Sequence, residues 1–486
     1  MVLKFGTSGL RGLVDELVGD PSGIHLRAFV THLQNSGRVR QGEPIFFGRD
    51  LRDSSPEIAQ TCMSAAAEAG MVPVDCGALP TPALALHAGR HHAAAVMVTG
   101  SHIPADRNGI KFFRPDGEID KSDEAAIRDL ARVIKVGYTA PPPVTGIESE
   151  HDGAIDRFRA RAFGLLPPGA LTGLRIGVYA HSSVAAGLLV DVLSGLGADV
   201  VELCTTPYFI AIDTEALAPE TVSNLAAWAR DYALDAIVST DADGDRPLVA
   251  DETGRQLRGD LLGLVAAEFV GARVVVTPVT SNSGISAALG FQVSRTRVGS
   301  PYVIAEMQRW IGSGEPVAGF EANGGFMLAT PIAGRHAGTL LDALPTRDSM
   351  LPILAALGTA AERKCRLSDL GNLWPLPAAE SDRLQNIRQD IYARLLSSLE
   401  DDRRALTAFL APIGEVDTID KLDGLRVRLT SGEIVHLRLS QNAPELRCYV
   451  EAATPDRARS LMAQALDRIR SVPVPSTETA EGDLAD

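Results

Sequence analysis

The sequence predicts an α/β protein of several domains, in which mainly parallel or mixed sheets are covered by helices. Short apolar runs that end at Gly or Pro alternate with amphipathic stretches along most of the chain, as successive strands and helices do. The 486 residues exceed the ~250–300 that one core usually reaches, so we expect three or four domains. From residue 381 to about residue 470 the order changes to helix, strands and a final helix, which predicts a smaller α+β unit.

The first strand and helix carry clear local signals. Residues 45–48 (IFFG) predict a buried strand that ends at a glycine. Ser54 and Glu57 have the spacing of a capping box and Pro56 falls in the first turn, so we expect a helix from here to Gly70. The residues that follow, VPVDCG, predict the next strand.

The same alternation recurs further along the chain. Apolar runs predict strands, and the amphipathic stretches behind two of them predict helices. The predicted strands are LRIGVYA (174–180), ADVVELC (198–204) and RVVVTPV (273–279). The predicted helices are AAGLLVDVLSGLG (185–197) and SGISAALG (283–290).

Three polar or Pro-rich stretches predict boundaries between domains. They are 139–153, 251–260 and 370–380. The domains expected from these boundaries are 1–145, 150–255, 256–372 and 376–472. The remaining residues, 473–486, are rich in Pro, Thr and acidic side chains, which predicts a disordered acidic tail.

Charge and cysteine content exclude several classes of protein. The chain has 46 basic and 61 acidic residues, a net charge of −15, so a general attraction for nucleic acid is not expected. A small anion can still bind at a locally basic site. The five cysteines are scattered and form no C-x-x-C pair, which excludes a disulfide framework and a cysteine zinc cluster and fits a reducing cytoplasm.

The sequence gives no sign of export or of a membrane span. The opening residues, MVLKFGTSGLRG, contain no apolar core of a signal peptide. No uninterrupted apolar run reaches the ~18 residues that a transmembrane helix needs. We therefore expect a cytoplasmic protein that does not bind membranes.

The segment 96–113 (VMVTGSHIPADRNGIKFF) places polar residues between two apolar runs. Ser101 and His102 lie in the predicted loop, Asn108 and Gly109 form a turn signal, and Lys111 follows it. A serine held between buried strands is rigid enough to act as a nucleophile or phosphate carrier. Taken alone, however, such a loop is more typical of an ordinary turn.

A second segment, DADGDR, follows the apolar run LDAIVST and puts Asp241, Asp243 and Asp245 at alternate positions, with Arg246 after them. Three carboxylates this close repel one another unless a cation lies among them. Oxygen ligands alone favour Mg²⁺ or Ca²⁺. The position at the end of a predicted buried strand favours a metal site over a solvated acidic loop.

Two other interpretations of the acidic segment were weighed. An EF-hand needs Gly at the sixth position, where Arg246 stands, and a helix in front, where the sequence predicts a strand. An aspartyl-phosphate phosphatase of the D-x-D-x-T type needs Thr where Asp245 stands. The EF-hand is excluded, and the phosphatase is weakened but left open.

Two further loops carry candidate ligand-binding residues. In VAGFEANGGFM (317–327), Glu321 and Asn323 lie in a Gly-flanked turn and could bind sugar hydroxyls. In HLRLSQNAPELRCYVEA (436–452), polar side chains surround a loop between two predicted strands. They are Arg438, Ser440, Asn442 and Arg447. Two guanidinium groups with small polar donors and free backbone N–H groups favour phosphate binding.

These loops occur in the order found in the α-D-phosphohexomutase family, of the bacterial phosphomannomutase/phosphoglucomutase type, which the chain resembles over nearly its whole length. The similar segments are KFGTSGLRG (4–12), FFGRDLRDSSPEIA (46–59), TPAL (81–84), TGSHIPADRNGIKFF (99–113), DADGDR (241–246), TRVGS (296–300), GFEANGGF (319–326) and residues 438–447. The resemblance implies three mixed α/β domains of related topology and a smaller C-terminal α+β domain around a central cleft.

The resemblance also implies roles for the candidate residues. Ser101 would carry the phosphoryl group and be a metal ligand together with the three aspartates of DADGDR. Arg11, His102 and Lys111 would be catalytic, with Lys111 in proton transfer. The implied substrate-binding residues are Arg246, Glu321, Asn323, Arg438, Ser440, Asn442 and Arg447. In order, the four domains would then carry the phosphoserine, metal-binding, sugar-binding and phosphate-binding loops.

Several positions depart from the commoner family pattern. Gly100 and Ile103 replace Ala and Asn, and Asn323 replaces Ser. Gly325 stands where many members have His, so proton transfer would fall to Lys111 or His102. Further departures, which keep the charged ligands, are Ala242, Leu439, Gln441 and Ala443.

The implied activity is the interconversion of hexose 6-phosphate and hexose 1-phosphate, most of all of mannose and also of glucose. It would use Mg²⁺ and a hexose 1,6-bisphosphate, which is both intermediate and activator. A phosphoglucomutase or phosphoglucosamine mutase is the alternative within the family. More distant alternatives are the aspartyl-phosphate phosphatase and a non-catalytic module that binds Ca²⁺ and an anion. The expected partner is a phosphosugar, with the protein a monomer or weak homo-oligomer.

Overall fold

The computed structural model describes residues 3–6, 9–206, 208–336, 338–374, 376–440 and 444–472. The chain forms two compact units. The first comprises Met1–Ser281 and Ile285–Trp374, and the second comprises Asn282–Gly284 and Pro375–Asp486.

The first sheet of the larger unit has eight strands. The strands are β1 (Lys4–Phe5), β2 (Leu10–Leu13), β3 (Pro44–Arg49), β4 (Val72–Ala78), β5 (Ala94–Val98), β6 (Arg107–Arg114), β7 (Gly117–Glu118) and β8 (Glu148–Ser149). Their spatial order is β1-β2-β6-β5-β3-β4-β8, and β7 pairs with β6. The helices that accompany them are α1 (Val14–Leu17), α2 (Asp20–Asn35), α3 (Ser55–Glu68), α4 (Thr81–Arg90) and α5 (Lys121–Ile134).

The second sheet has four strands in the order β10-β9-β11-β12. They are β9 (Arg175–His181), β10 (Asp199–Thr205), β11 (Ala236–Thr240) and β12 (Pro247–Ala250). The helix α6 (His151–Phe163) precedes this sheet. Along the chain, α7 (Ala186–Gly195) lies between β9 and β10, and α8 (Pro219–Asp231) lies between β10 and β11.

The third sheet has five strands in the order β14-β13-β15-β16-β19. They are β13 (Val274–Pro278), β14 (Gln292–Thr296), β15 (Val317–Phe320), β16 (Phe326–Leu328) and β19 (Leu344–Asp348), while β17 (Ile332–Ala333) and β18 (Leu340–Leu341) pair separately. The helices of this region are α9 (Gly259–Phe269), α10 (Ser300–Trp310) and α11 (Met350–Arg363). Short 3₁₀ helices span Ser283–Ala287 and Leu367–Asn372.

The smaller unit contains one antiparallel sheet in the order β20-β24-β23-β22-β21. Its strands are β20 (Ala378–Leu384), β21 (Val416–Asp420), β22 (Leu425–Leu429), β23 (Ile434–Leu439) and β24 (Leu446–Ala452). Its helices are α12 (Gln389–Asp401), α13 (Arg403–Leu410) and α14 (Pro455–Arg470). These elements enclose an apolar core of their own.

The first three sheets share one arrangement of four strands, which confirms the predicted mixed α/β class and related topology. In each, the first three strands are parallel and the fourth is antiparallel. The matching sets are β4-β3-β5-β6, β10-β9-β11-β12 and β14-β13-β15-β16. The loops that turn from the third to the fourth strand are residues 99–106, 241–246 and 321–325. All three therefore lie at the carboxyl end of a parallel strand, where α/β sheets bind their ligands.

Several local predictions were wrong for identifiable reasons. The Ser54 side chain does not cap α3; its hydroxyl instead accepts a hydrogen bond from Asn108 Nδ2 at 2.9 Å. Asn108 and Gly109 are not in a turn but inside β6. A Cβ on Gly109 would lie 2.6 Å from the carbonyl oxygen of Leu10, so the close approach of β2 requires glycine there.

Two larger differences concern element type. Residues 283–290 were expected to be helical but contain only a five-residue 3₁₀ turn, Ser283–Ala287. The last domain begins with the strand β20, which pairs with β24 along seven residues, whereas a helix was expected first. The predicted domain limits stay predictions. Among the described helices, none combines the length and the apolar character needed to cross a membrane.

Candidate active site

Ser101 lies in the loop after β5 and is held in an uncommon backbone conformation. Its φ angle is 55°, in the left-handed region that residues other than glycine rarely adopt. Its side chain is buried, with 1% of the residue exposed, and its backbone N–H donates to Thr99 Oγ1 at 2.8 Å. Strained, well-supported backbone of this kind is typical of functional sites.

The serine loop is fixed by Arg52, a fully buried arginine to which the sequence analysis gave no role. Arg52 Nε pairs with Asp50 Oδ2 at 3.1 Å. Its other nitrogens donate to four backbone carbonyl oxygens of the loop region, at 2.6–3.0 Å. These belong to Ser101, Ile103, Pro104 and Arg107. A Cβ at Gly100 would lie 2.6 Å from Arg52 Cζ, which explains why this chain has Gly at position 100.

Asp241, Asp243 and Asp245 form a buried cluster at the end of β11. Each has a carboxylate oxygen within 4.8 Å of the others, and all three are at most 1% exposed. Asp243 Oδ1 and Asp245 Oδ1 are buried without a hydrogen-bond partner among the described residues. Such carboxylate oxygens are the donors that a hard divalent cation prefers. The residues present therefore fit the predicted metal site.

The loop that holds Ser101 (residues 99–106, the serine loop) is in direct contact with the loop that holds the three aspartates (residues 241–246, the acidic loop). Ser101 Oγ donates a hydrogen bond to Asp241 Oδ2 at 2.6 Å, although the two residues are 140 positions apart in the sequence. The predicted phosphate carrier therefore lies beside the predicted metal ligands.

Lys111 reaches the same cluster from β6. Its Nζ donates to Asp243 Oδ2 and Asp245 Oδ2, both at 2.5 Å. Burial alone would lower the pKa of Lys111, but Asp243 and Asp245 raise it above its ordinary value. The ammonium group therefore stays charged and offsets part of the negative charge of the aspartates.

The three aspartates differ in the pKa that their surroundings impose. Burial, followed by the charges of Asp243 and Asp245, raises the pKa of Asp241 well above its ordinary value. Burial would also raise the pKa of Asp245, but Arg347, Lys111 and Arg246 together lower it. Basic side chains therefore already offset part of the negative charge of Asp245. A bound cation would do most to stabilise the ionised form of Asp241.

Arg246 and Arg11 bring positive charge to the same place. Arg246 is 6% exposed, and its Nε and Nη1 are buried without a hydrogen-bond partner among the described residues. Burial, then Arg246 and Arg347, lowers the pKa of Arg11 to about 10. Buried guanidinium donors without an acceptor favour an anion such as phosphate.

His102 lies next to the serine hydroxyl. Its Nδ1 is 3.2 Å from Ser101 Oγ. Burial, followed by the charges of Arg246 and Arg11, lowers the pKa of His102 well below its ordinary value. The imidazole is therefore neutral near pH 7 and can accept a proton.

Arg347, to which the sequence analysis gave no role, links the predicted sugar-binding loop (residues 321–325, the sugar loop) to this cluster. Glu321 is 4% exposed and accepts from Arg347 Nη1 at 3.0 Å, and Arg347 also donates to Asp245. Asn323 Oδ1 accepts from the N–H of Gly325 at 2.9 Å. The signal for Arg347 was the charged pair Arg347-Asp348 at the end of β19 (LPTRD), just before the apolar run MLPILAAL of α11.

The predicted phosphate-binding residues lie in the smaller unit. Arg438 of β23 and Arg447 of β24 are directly opposite each other. Arg438 Nε donates to Asp423 Oδ2 at 2.8 Å, and the N–H of Ser440 donates to the carbonyl oxygen of Glu445 at 2.9 Å. Asn442 lies outside the described residues. Arg447 Nε lies 3.8 Å from Glu445 Oε2, so each of the two guanidinium groups lies near a carboxylate of the same unit.

Comparisons with known proteins agree with this geometry. Models of the phosphoglucomutase/phosphomannomutase α/β/α domains I, II and III match residues 2–135, 165–254 and 258–376. The chain is 52% identical over 470 residues to a phosphomannomutase of Sinorhizobium fredii (strain NBRC 101917 / NGR234), covering 96% of this chain and 99% of that protein. It is 40% identical over 474 residues to a phosphomannomutase of Salmonella muenchen, covering 96% of each.

Solved structures share the fold over nearly the whole chain. A phosphoglucomutase/phosphomannomutase family protein of Burkholderia thailandensis superposes with a TM-score of 0.74 at 21% identity, covering 97% of this chain and 99% of that one. The open form of the phosphoglucomutase pp63/parafusin of Paramecium gives 0.70 at 12% identity, covering 96% and 95%. With the matched domains and the close relatives, these likenesses show that the chain belongs to the α-D-phosphohexomutase family, the phosphoglucomutases and phosphomannomutases.

Proposed function

We propose that this phosphosugar mutase interconverts mannose 6-phosphate and mannose 1-phosphate, with glucose phosphates as further substrates. The observation that carries the mechanism is the contact of Ser101 Oγ with Asp241 Oδ2 at 2.6 Å, which puts a serine hydroxyl into a buried acidic cluster. The preference for mannose rests on the 52% identity to a phosphomannomutase over almost all of its length.

The three aspartates and an oxygen of phosphorylated Ser101 would hold Mg²⁺. Asp243 Oδ1 and Asp245 Oδ1, which have no hydrogen-bond partner among the described residues, support this ligand set. When bound, the ion supplies positive charge that offsets the phosphoryl group. A phosphoserine carries about −1.5 to −2 charges near pH 7, more than the neighbouring basic residues balance once the aspartates are counted.

Arg246 and Arg11 would orient the phosphoryl group. The Nε and Nη1 of Arg246, which have no hydrogen-bond acceptor among the described residues, can donate to phosphate oxygens. Arg11 adds a second fixed positive charge from β2. Phosphoryl transfer depends chiefly on in-line placement and charge compensation, which these side chains supply without further covalent chemistry.

The reaction would run in two transfers. In the first, the bond between phosphorus and Ser101 Oγ breaks as a bond to a hydroxyl oxygen of the sugar monophosphate forms; the neutral His102, 3.2 Å from Ser101 Oγ, takes the sugar hydroxyl proton, and Lys111 gives a proton to the serine oxygen. The product of this step is the hexose 1,6-bisphosphate. After the sugar has turned around, Ser101 Oγ attacks the other phosphate and the bond from that phosphorus to the sugar oxygen breaks; Lys111 takes the serine proton back, and His102 returns its proton to the sugar oxygen.

The proposed substrate-binding residues fall into two groups. Glu321 and Asn323 would bind hydroxyls of a sugar held in either orientation. Arg438, Ser440, Asn442 and Arg447 would bind the phosphate that is not reacting.

The remaining expectations follow from this proposal. Hexose 1,6-bisphosphate would phosphorylate Ser101 and so activate the enzyme. The five cysteines form no disulfide, which supports a reducing, cytoplasmic setting. A monomer or weak homo-oligomer remains our proposal for the working state.

Phosphorylation of Ser101 is the decisive test. The intact mass of the purified protein is measured before and after glucose 1,6-bisphosphate and Mg²⁺, and peptide mapping locates the added group. One phosphate on Ser101, together with turnover of mannose 1-phosphate, is the expected result. Label on Asp241 or Asp243 would instead support an aspartyl-phosphate phosphatase, and metal binding with no covalent phosphate would support a binding module.

A further inference from the structure

Arg347, at the end of β19, is buried and bonded to groups from two different loops. Its Nε and Nη2 donate to Asp245 Oδ2 at 3.0 and 2.7 Å. Its Nη1 donates to Glu321 Oε2 at 3.0 Å and lies 3.5 Å from Ser300 Oγ. With 3% of the residue exposed, the guanidinium group links the acidic loop to the sugar loop out of reach of bulk water.

Gly325 leaves the space that the Arg347 side chain occupies. A Cβ at position 325 would lie 2.6 Å from Arg347 Cδ and 2.8 Å from Cγ, closer than carbon atoms can approach. The backbone does not itself require glycine, because the φ angle of Gly325 is outside the left-handed region. Volume, and not conformation, therefore accounts for the glycine.

We propose that Arg347 is a positioning residue for both metal and sugar, because it holds the carboxylates of Asp245 and Glu321 in place. Position 325 is then a glycine because any larger side chain there would clash with Arg347. This inference rests on the proposed function and deepens it. It assigns a role to a residue that belongs to none of the loops in which the ligands lie.

The contacts show how one side chain can serve both sites. Arg347 and Lys111 both donate to Asp245 Oδ2, which leaves the buried Oδ1 without a hydrogen-bond partner among the described residues, 3.9 Å from Arg246 Nε. This second oxygen keeps its lone pairs available to a metal ion. On the other side, fixing Glu321 Oε2 fixes the direction of the carboxylate that would receive a sugar hydroxyl.

Arginine suits this position better than lysine. The planar guanidinium group can donate from one edge to one carboxylate and from another nitrogen to a second, whereas an ammonium group is a single point charge. Residues that orient metal ligands in this way typically change metal affinity or activity about 10- to 100-fold when replaced.

The first experiment compares Arg347→Lys and Arg347→Met with the wild type. Mn²⁺ binding is measured by calorimetry on the unphosphorylated protein, and KM and kcat are measured with mannose 1-phosphate. We expect Mn²⁺ affinity to fall about 10- to 100-fold in Arg347→Met and less in Arg347→Lys, with KM raised in both. Arg309→Met, which replaces a largely exposed arginine of α10, is the control and should change neither.

A purely structural role would give a different result. In that case the thermal midpoint falls while Mn²⁺ affinity and KM stay at the wild-type values, which overturns the proposal. Arg347→Lys keeps the charge and most of the volume, so it provides the measurement if Arg347→Met does not fold.

The second experiment tests the shared space. Gly325→Ala should displace the Arg347 side chain and so weaken Mn²⁺ binding and raise KM in the wild type. In an Arg347→Ala background the same change should add little, because the space is then empty. Gly187→Ala in α7, where a Cβ meets no atom within 4 Å, is the matched control. Effects of Gly325→Ala that are equal in both backgrounds contradict the shared-space argument.

Failure of this inference is separable from failure of the proposed function. If the wild type does not turn over hexose phosphates, the mutase proposal for mannose fails, but the calorimetry still tests whether Arg347 positions Asp245. If the wild type turns over mannose 1-phosphate and the variants bind Mn²⁺ and sugar normally, only the role of Arg347 is overturned.

Discussion

The serine loop (99–106) and the acidic loop (241–246) hold the same place in two sheets of the same topology, yet their polar groups are treated in opposite ways. In the serine loop, Arg52 donates to four backbone carbonyl oxygens of residues 101–107. In the acidic loop, oxygens of Asp243 and Asp245 and two nitrogens of Arg246 are buried without hydrogen-bond partners among the described residues. One neighbouring side chain therefore satisfies the backbone of the serine loop, whereas the acidic loop keeps buried polar atoms that can receive charged ligands.

The largest effect is expected from Ser101→Ala, which removes the group that the serine loop exists to hold. Turnover of mannose 1-phosphate should fall on the order of 10⁴-fold or more, because the variant lacks the oxygen to which the phosphoryl group would be bonded. Steady-state kinetics and intact mass after treatment with glucose 1,6-bisphosphate provide the measurement. A variant that keeps normal turnover would falsify the role of Ser101 as phosphate carrier.

Arg52→Met should break the rigid loop itself. It leaves Asp50 buried without its partner and several carbonyl oxygens without a donor, so a loss of about 3–5 kcal/mol in the free energy of unfolding is expected. Differential scanning calorimetry measures the change for the transition that contains the first sheet. Arg132→Met, at a largely exposed arginine of α5, serves as the control. Equal losses in the free energy of unfolding for the two variants would contradict a special role of Arg52 in holding the serine loop.

When no metal is present, Asp241→Asn should increase the free energy of unfolding, whereas Arg52→Met decreases it. The folded-state pKa of Asp241 is raised above the ordinary value of 3.8, so ionisation costs stability as the pH rises from about 4 through the raised pKa. The metal-free wild type should therefore lose stability across that window, and Asp241→Asn should lose less.

In the presence of Mg²⁺, the wild type should instead be more stable than Asp241→Asn. A ligand at 100 times its Kd stabilises the folded state by about 2.7 kcal/mol, and Asp241→Asn should gain much less of this than the wild type. Thermal unfolding with EDTA and with Mg²⁺, each at two pH values, gives all four comparisons. A wild type that Mg²⁺ does not stabilise would remove the contrast between the two loops.

The smallest effect is expected from Ser54→Ala. The Ser54 hydroxyl accepts from Asn108 Nδ2 and does not cap α3, so its loss should cost about 0.5–1.5 kcal/mol and slow phosphorylation of Ser101 only slightly. Glu57→Ala, at the other position of the supposed capping box, should be neutral in the same unfolding experiment. A larger cost for Glu57→Ala would restore the capping interpretation.

Sequence patterns were sufficient where the signal is local. The alternation of strands and helices, the aspartates at the end of β11 and the serine after β5 were all evident from short segments, because strand ends in α/β sheets converge on one edge. The capping box at Ser54 failed for a tertiary reason, since Asn108, 54 residues away, competes for the hydroxyl. The Asn108-Gly109 pair failed likewise, because β2 packs against it.

The residues that the sequence did not reveal act at long range. Arg347 lies 102 positions from Asp245, and Arg52 lies 49 to 55 positions from the carbonyl oxygens that it binds. Each also explains a departure from the family pattern. Gly100 makes room for Arg52 and Gly325 makes room for Arg347, so a substitution that looks local records a contact made elsewhere in the fold.

The recurrence of one strand order in three successive sheets has an evolutionary consequence. A unit copied in tandem brings its turn between the third and fourth strand along with it, and the frame does not depend on what that turn contains. Under the function proposed above, the three copies of this loop would have specialised, one for covalent transfer, one for the cation and one for the carbohydrate. The enzyme would then be a single ancestral scaffold used three times, with its chemistry divided among descendants of the same loop.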